Sequence, residues 1–349
     1  MKNNSVVIEN HYQQLNPFQG LVIYRPVDPT NRKPVGIVLM HSDEAYYGFI
    51  PAPELAQRGY TVFTAAVKRS EETLDQKILD VKAVVDYVKQ DDAIKKFLLL
   101  GHSGGATLLS AYQAIAENGA HIFQTERQVV KLTDVGDLTP ADGVMFLDSN
   151  FGNGVMELLS LDPGLTEGDS ARYLNPKFDL TSPENGWCGD HGEYSSAFIR
   201  AYQQAQAERQ QKLVDDALAR LNAIEAGQGK FKDDEPLTIV GGQQFAPCNK
   251  LFPQDPTLLQ HTAKPWDLIH ADGSISNEVI YSRRLPRAAQ QFVQLNNLST
   301  KQTTVKNFLT NFGLRTKGFG YDATHVYGID WDSAYCNTPA MSDIFKCQR

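Results

Sequence analysis

Over the first 150 positions, apolar residues come in short unbroken runs separated by stretches of helical spacing. Pro34-Val35-Gly36-Ile37-Val38-Leu39-Met40 and Tyr60-Thr61-Val62-Phe63-Thr64-Ala65-Ala66 are two such runs. Phe97-Leu98-Leu99-Leu100 and Ala141-Asp142-Gly143-Val144-Met145-Phe146-Leu147-Asp148 are two more. A strand with one wet face alternates apolar and polar residues. A parallel strand covered by helices on both faces reads as a continuous apolar run. Between the runs, Leu74, Ile78, Val81, Val85 and Val88 recur at spacings of three and four, the stripe of an amphipathic helix. A second helical pattern covers Ala106 to Tyr112. Gly20 to Pro26 reads as an earlier strand. The turn-rich segment Val27 to Pro34 predicts a hairpin between it and the Val35–Met40 run. The order predicts an α/β fold with a mainly parallel sheet flanked by helices.

The pattern changes after Ser149. Residues 150–195 are rich in Gly, Pro, Asp and Asn and have few periodic apolar positions. A long helix is predicted from about Ser196 to Ala226, ended by Gly227-Gln228-Gly229 as a C-terminal glycine should end it. Pro236 to Gly242 is a further strand candidate, Asn249 to Leu285 is loop-rich, and Thr304 to Phe312 reads as a short helix. The expected division is a core over 1–149, a partly helical cap or lid insertion over 150–235, and remaining core strands or continued insertion and tail over 236–349.

Gly101-His102-Ser103-Gly104-Gly105 joins the Phe97–Leu100 strand directly to the helix that follows. A serine at the apex of a sharp strand-to-helix turn needs small neighbours, so that strand and helix can approach closely. The turn lifts the hydroxyl out of the backbone. It also puts the next amide, that of Gly104, at a helix N-terminus, where it can donate to a developing oxyanion. G-x-S-x-G in this setting, with the preceding strand and helix order, resembles the nucleophile elbow of the α/β-hydrolase superfamily. The resemblance covers about residues 18–150 and points to the serine-nucleophile, esterase- or lipase-like branch.

That resemblance implies an order of nucleophile, acid, then histidine. Ser103 is the nucleophile. The histidines downstream are His121, His191, His261, His270 and His325, of which His325 is best placed by order as the base. The acid is Asp148, at a strand end, with Asp255, Asp267 and Asp272 as alternatives. The oxyanion donors are expected to be the amides of Gly104 and of Ser42 or Asp43. Asp43 and Glu44 so close to that hole would oppose a negative transition state unless they point away. His41 is expected to bond loop backbone, and His102 to serve packing.

The tail gives a competing expectation. Gly328-Ile329-Asp330-Trp331-Asp332-Ser333, with Asn337-Thr338-Pro339 behind it, resembles a branch in which such a segment precedes the last two core strands, which carry the acid and the histidine. No apolar strand follows Ile344. On this reading residues 150–340 are one long insertion, and the chain is shortened at its C-terminus and lacks its acid and base.

Composition narrows the classes. The chain has 349 residues, 42% hydrophobic and 21% charged, which supports a sizeable core. A net charge of −8 with scattered basic residues argues against a nucleic-acid partner. No apolar run approaches transmembrane length, and the N-terminus has no signal-peptide core, so a cytoplasmic location is expected. Cys188, Cys248, Cys336 and Cys347 form no CxxC and read as free or partly buried thiols, or as disulfide partners if the protein is exported. Cys188-Gly189-Asp190-His191 has C-x-x-H spacing, but no second ligand pair follows at zinc spacing, so the reading assigns no metal and no cofactor.

The leading expectation is a serine hydrolase that cleaves a carboxylic ester or thioester of a small molecule through an acyl-Ser103 intermediate. In it, Trp187, Tyr194 and Phe198 shape an apolar pocket. The alternative is a non-catalytic or degenerate chain of the same fold that binds a ligand or partner. A third is a lyase or peroxidase on this fold.

Overall fold

The structure is a computed structural model. It describes residues 6–150, 152–165, 175–189, 191–240, 242, 251–252, 262, 264–270, 272–280, 301–322 and 325–334. Six strands form the main sheet: β1 (Ile8–Asn16), β2 (Gln19–Pro26), β3 (Val35–Met40), β4 (Thr61–Ala65), β5 (Lys96–His102) and β6 (Gly143–Leu147). They lie in the order β1-β2-β4-β3-β5-β6. The pairs β4/β3, β3/β5 and β5/β6 are parallel, whereas β1/β2 and β2/β4 are antiparallel.

The unbroken apolar runs have the reason given above. Along β3, Val38 and Met40 pack with the helices α2 (Leu74–Val88) and α3 (Gly104–Asn118) on one face. Ile37 and Leu39 pack on the other face, with Ala52 of α1 (Pro51–Gln57) and Tyr46. Both faces of the strand are dry, so both parities are apolar. Leu74, Ile78, Val81, Val85 and Val88 of α2 are all buried.

The expected hairpin is displaced. β2 pairs with β1 and β4, not with β3, so the opening hairpin is β1–β2. β1 runs IENHYQQLN and has no fully buried residue, so it lacks the apolar run that marks the other strands.

Beyond residue 150 a second body is built around α5 (Ser196–Glu225). Ser195 caps it by accepting from the Phe198 N–H, and Gly227 ends it at φ 71°. α4 (Asn153–Ser160), α6 (Val305–Asn311) and a ribbon of β11 (Arg315–Tyr321) and β12 (Val326–Asp330) pack on it. Tyr194 and Phe198 stack on each other at 5.2 Å and pack with Tyr202 in this body. The strand expected at 236–242 is present as β7 (Pro236–Ile239), but it pairs with β10 (Lys301–Thr304) in a two-stranded ribbon. A third ribbon joins β8 (Trp266–Ile269) to β9 (Ile275–Glu278). Among the described residues no strand pairs with the outer edge of β6. Met145, Phe146 and Leu147 are 41%, 36% and 42% exposed there.

The two bodies are tied at defined points. Asn307 and Asn311 of α6 each donate to the Glu72 carbonyl at 3.0 Å, and Val129 N–H donates to the Ser333 carbonyl. No helix among the described residues is long and apolar enough to cross a membrane.

Candidate active site

β5 delivers the chain to Ser103, and α3 begins at Gly104. Ser103 sits at φ 53° and ψ −122°, a conformation costly for any residue with a Cβ. Its N–H donates to the Leu147 carbonyl at 3.0 Å, and its carbonyl accepts from the Ala106 N–H at 3.2 Å. A serine at a helix N-cap ordinarily spends its hydroxyl on a first-turn amide. Ser103 makes no such bond.

The glycines around it are required by space. A Cβ on Gly101 would overlap the backbone of Ala106, where the helix folds back over the strand. A Cβ on Gly105 would overlap the Met40 carbonyl and come within 2.8 Å of His41 Cα, so α3 rests directly on the end of β3. A Cβ on Gly104 would overlap Ser42 Oγ. The two segments expected to supply oxyanion donors therefore touch. Ser42 is buried, and its amide has no partner among the described residues. The Gly104 amide lies in the first turn of α3, where no carbonyl of the same helix can reach it. The Asp43 amide is already engaged: it and the Glu44 amide both donate to His41 Nδ1 at 3.0 Å. Of the two loop residues considered, only Ser42 keeps its amide available.

Those bonds fix His41 with Nδ1 as an acceptor, and burial holds its pKa below the ordinary histidine value, so it is neutral. Asp43 does not face the site as a bare charge. Its carboxylate accepts from Lys77 Nζ at 2.7 Å and from Ser42 Oγ at 2.5 Å. Burial alone would raise its pKa, but the Lys77 ammonium and these hydrogen bonds hold it below the usual carboxylate value. Lys77 is 1% exposed, so the pair is a fixed local dipole rather than a surface contact. His102, Tyr46, Phe49 and His41 form an aromatic cluster beside the serine, with the Tyr46 hydroxyl 2.5 Å from His102 Nδ1. Burial pushes the Tyr46 phenol up to about 12, so it stays neutral.

Asp148 follows the last residue of β6. The register pairs His102 with Leu147, so Ser103 and Asp148 leave adjacent strands side by side. Asp148 also has a positive φ, 49°. His325 lies between β11 and β12, with a side chain 77% exposed and Nδ1 3.5 Å from Asp322 Oδ1. Asp322 is a carboxylate that the sequence reading did not consider. The spacing Asp322-x-x-His325 was its available signal. Among the described residues, Ser103 Oγ makes no hydrogen bond to a histidine. Asp267 bonds Asn277, and Asp272 bonds Ser274, both in the β8–β9 ribbon. His270 there bonds Ser276, and His121 follows α3 in a short 3-10 turn. His261, Asp255, Cys248, Cys336 and Cys347 lie outside the described residues. A cleft of about 250 Å³ between Phe123, Arg127 and Trp331 is lined by residues away from the serine turn.

No family model and no curated protein matches the chain. Solved structures do match in part. Esterase B from Lactobacillus rhamnosis is 16% identical, with 43% of this chain and 50% of that one covered and a TM-score of 0.35. Est1E from Butyrivibrio proteoclasticus is 20% identical, covering 30% and 45%, with a TM-score of 0.26. Brefeldin A esterase, a bacterial homologue of human hormone sensitive lipase, is 15% identical, covering 34% and 37%, with a TM-score of 0.29. The chain spans about half or less of the length of these structures. Sheet order, a strand–serine–helix turn and glycines at the points of closest approach together give the first 150 residues an α/β architecture, a mixed and mostly parallel sheet with helices on both faces.

Proposed function

We propose that the chain cleaves an ester-like bond of a small molecule, a carboxylic ester or a thioester, through an acyl intermediate on Ser103. The observation that carries this reading is the strained backbone of Ser103 at the turn, with its hydroxyl left out of helix capping. Strain of this kind persists where surrounding structure holds it in place, and here the glycine contacts and the Leu147 bond do so.

In the proposed reaction, Ser103 Oγ attacks the carbonyl carbon while a base takes its proton. The charge that develops on the carbonyl oxygen meets the amides of Gly104 and Ser42. Losing one such donor typically costs about 10²–10³ in rate. The base returns the proton to the leaving alcohol or thiol, and water then repeats the attack on the acyl group. Lys77 offsets the Asp43 charge that would otherwise oppose the oxyanion. On this reading His325 is the base and Asp148 the acid, with Asp322 as the carboxylate already beside the ring. The body built on α4 and α5 serves as the cap.

A second reading, a ligand- or partner-binding chain of the same fold without catalysis, is favoured by one observation. Among the described residues no histidine is bonded to Ser103 Oγ. Turnover of an aryl ester by the wild type, Ser103→Ala and His325→Ala separates the two. Triad members act as a unit, so hydrolysis predicts about equal losses in both variants. Turnover that survives Ser103→Ala refutes the proposed role of the serine. Absence of turnover in the wild type supports the binding reading.

A further inference from the structure

Just before α5 the chain makes a tight hairpin. Trp187 and Gly192 pair in antiparallel fashion. Cys188 N–H donates to the His191 carbonyl at 2.8 Å, and Glu193 N–H donates to the Gly186 carbonyl at 2.7 Å. Gly189 allows the turn with φ 100°. Gly186, at φ 112°, leaves room for the Glu193 carbonyl, 2.6 Å from where a Cβ would stand.

This register has a chemical consequence. Facing residues of an antiparallel pair project from the same side, as do residues two apart on one strand. Cys188 faces His191, and Glu193 is two residues beyond His191. A thiol, an imidazole and a carboxylate therefore emerge on one face, with ligand atoms all within 4.8 Å of one another. His191 Nε2 and Glu193 Oε1 are 3.3 Å apart. Around a tetrahedral ion with bonds of about 2.0–2.3 Å, neighbouring ligand atoms stand about 3.3–3.8 Å apart. Small rotations of exposed side chains close that difference.

The hairpin is anchored at both ends. Trp187 N–H donates to the Ser182 carbonyl at 3.1 Å, and the Tyr194 hydroxyl donates to the Leu180 carbonyl at 2.7 Å. Tyr194 stacks on Phe198 of α5, and Ser195 caps that helix. This frame holds the backbone of the three ligand-bearing positions, and His191 and Glu193 also contact each other.

We propose that Cys188, His191 and Glu193 form a binding site for a borderline divalent ion of the zinc class, with water as fourth ligand. The donor set selects the ion class. Thiolate and imidazole favour zinc and its neighbours over magnesium and calcium, which take oxygen ligands. The C-x-x-H spacing has no second ligand pair further along the chain. The hairpin supplies the third ligand at the adjacent same-face position instead. The site is independent of Ser103 and of the proposed hydrolysis.

The test uses the untagged full chain, dialysed against zinc and measured by elemental mass spectrometry, with cobalt as an optical probe. The expected result is one zinc per chain, and a thiolate-to-cobalt charge-transfer band in the near ultraviolet. Cys188→Ser should abolish the band, and His191→Ala and Glu193→Gln should each weaken zinc binding by about tenfold or more. All three side chains are exposed, so the variants should keep the metal-free thermal transition of the wild type. Replacing Cys248, Cys336 and Cys347 together by serine should leave binding intact, as should Ser103→Ala. Failure to bind zinc, or binding unchanged in His191→Ala or Cys188→Ser, overturns the proposal. Loss of esterase activity with binding retained bears on the serine reading alone.

Discussion

Ser103 and Asp148 end two neighbouring parallel strands, and among the described residues they are the non-glycine residues with positive φ, 53° and 49°. The Ser103 N–H donates to the carbonyl of Leu147, the residue before Asp148, at 3.0 Å. One hydrogen bond thus links two strained positions at the carboxyl ends of β5 and β6. In open α/β sheets, ligands bind at the carboxyl ends of strands.

The strain at Ser103 gives a stability prediction. Glycine adopts φ 53° without the Cβ clash, so Ser103→Gly should raise stability by about 1 kcal/mol while removing the proposed nucleophile. Ser103→Ala should remove the same hydroxyl with no such gain. Urea unfolding of the two variants checks this. Equal stability would mean that the backbone at the turn is not strained.

The Lys77–Asp43 pair predicts an asymmetry. Lys77 is 1% exposed and Asp43 is 36% exposed. Asp43→Asn leaves a buried ammonium without its countercharge, a change that typically costs about 3–5 kcal/mol. Lys77→Met leaves a carboxylate that water can reach, so it should cost less stability. On the hydrolase reading it should lower ester turnover more, because the bare Asp43 charge then faces the oxyanion. Unfolding and turnover measured on both variants should rank them in opposite orders.

His41 gives a pH prediction. Burial holds its pKa below the ordinary value of 6.5. The unfolded chain takes up a proton near that pH which folded His41 refuses. Its contribution is therefore fully present above pH 6.5 and is lost as pH falls toward the folded value. Protonation would also remove the acceptor for the Asp43 and Glu44 amides. His41→Ala should cost about 1–3 kcal/mol at neutral pH through those two amides, and it should flatten the slope just below pH 6.5. Asp43, with its pKa lowered, acts in a separate window below about pH 3.8. Unfolding free energies across pH for wild type and variant separate the two groups.

β6 predicts a solution property. An exposed apolar edge strand is a template for pairing with another chain. Met145, Phe146 and Leu147 make β6 such an edge among the described residues. The chain should self-associate with rising concentration, and Met145→Lys with Leu147→Lys should reduce this. Sedimentation that shows the same monomer at all concentrations would contradict it.

The central strands were legible because both of their faces are dry. Val38 and Met40 meet one layer of helices, and Ile37 and Leu39 meet the other, so the runs stood out. α2 carried its stripe for the same reason. The second body was less legible because much of its buried surface is polar. Along α5, Gln203, Gln206 and Gln210 lie at spacings of three and four. They donate to the carbonyls of Tyr321, Leu161 and Phe312. The helix itself was legible, expected over about Ser196 to Ala226 and found over Ser196–Glu225, but these glutamine contacts give no apolar signal of what it packs against. In the candidate site, the motif pointed to Ser103 and Gly104, and the end of β3 pointed to Ser42, whose side chain the structure brings against Gly104. The Lys77 counterion lay 34 residues from Asp43 with no local pattern to join them. Asp322, directly after β11 and three residues before His325, had only the Asp322-x-x-His325 spacing to mark it.

The central claim is that Ser103 is a working nucleophile. An aryl phosphonate reacts covalently only with a serine whose hydroxyl is activated, and peptide mass spectrometry locates the adduct. The account predicts stoichiometric labelling on the peptide carrying Ser103, absent in Ser103→Ala and sharply slowed in His325→Ala. Wild-type chain that labels no faster than Ser103→Ala would contradict it.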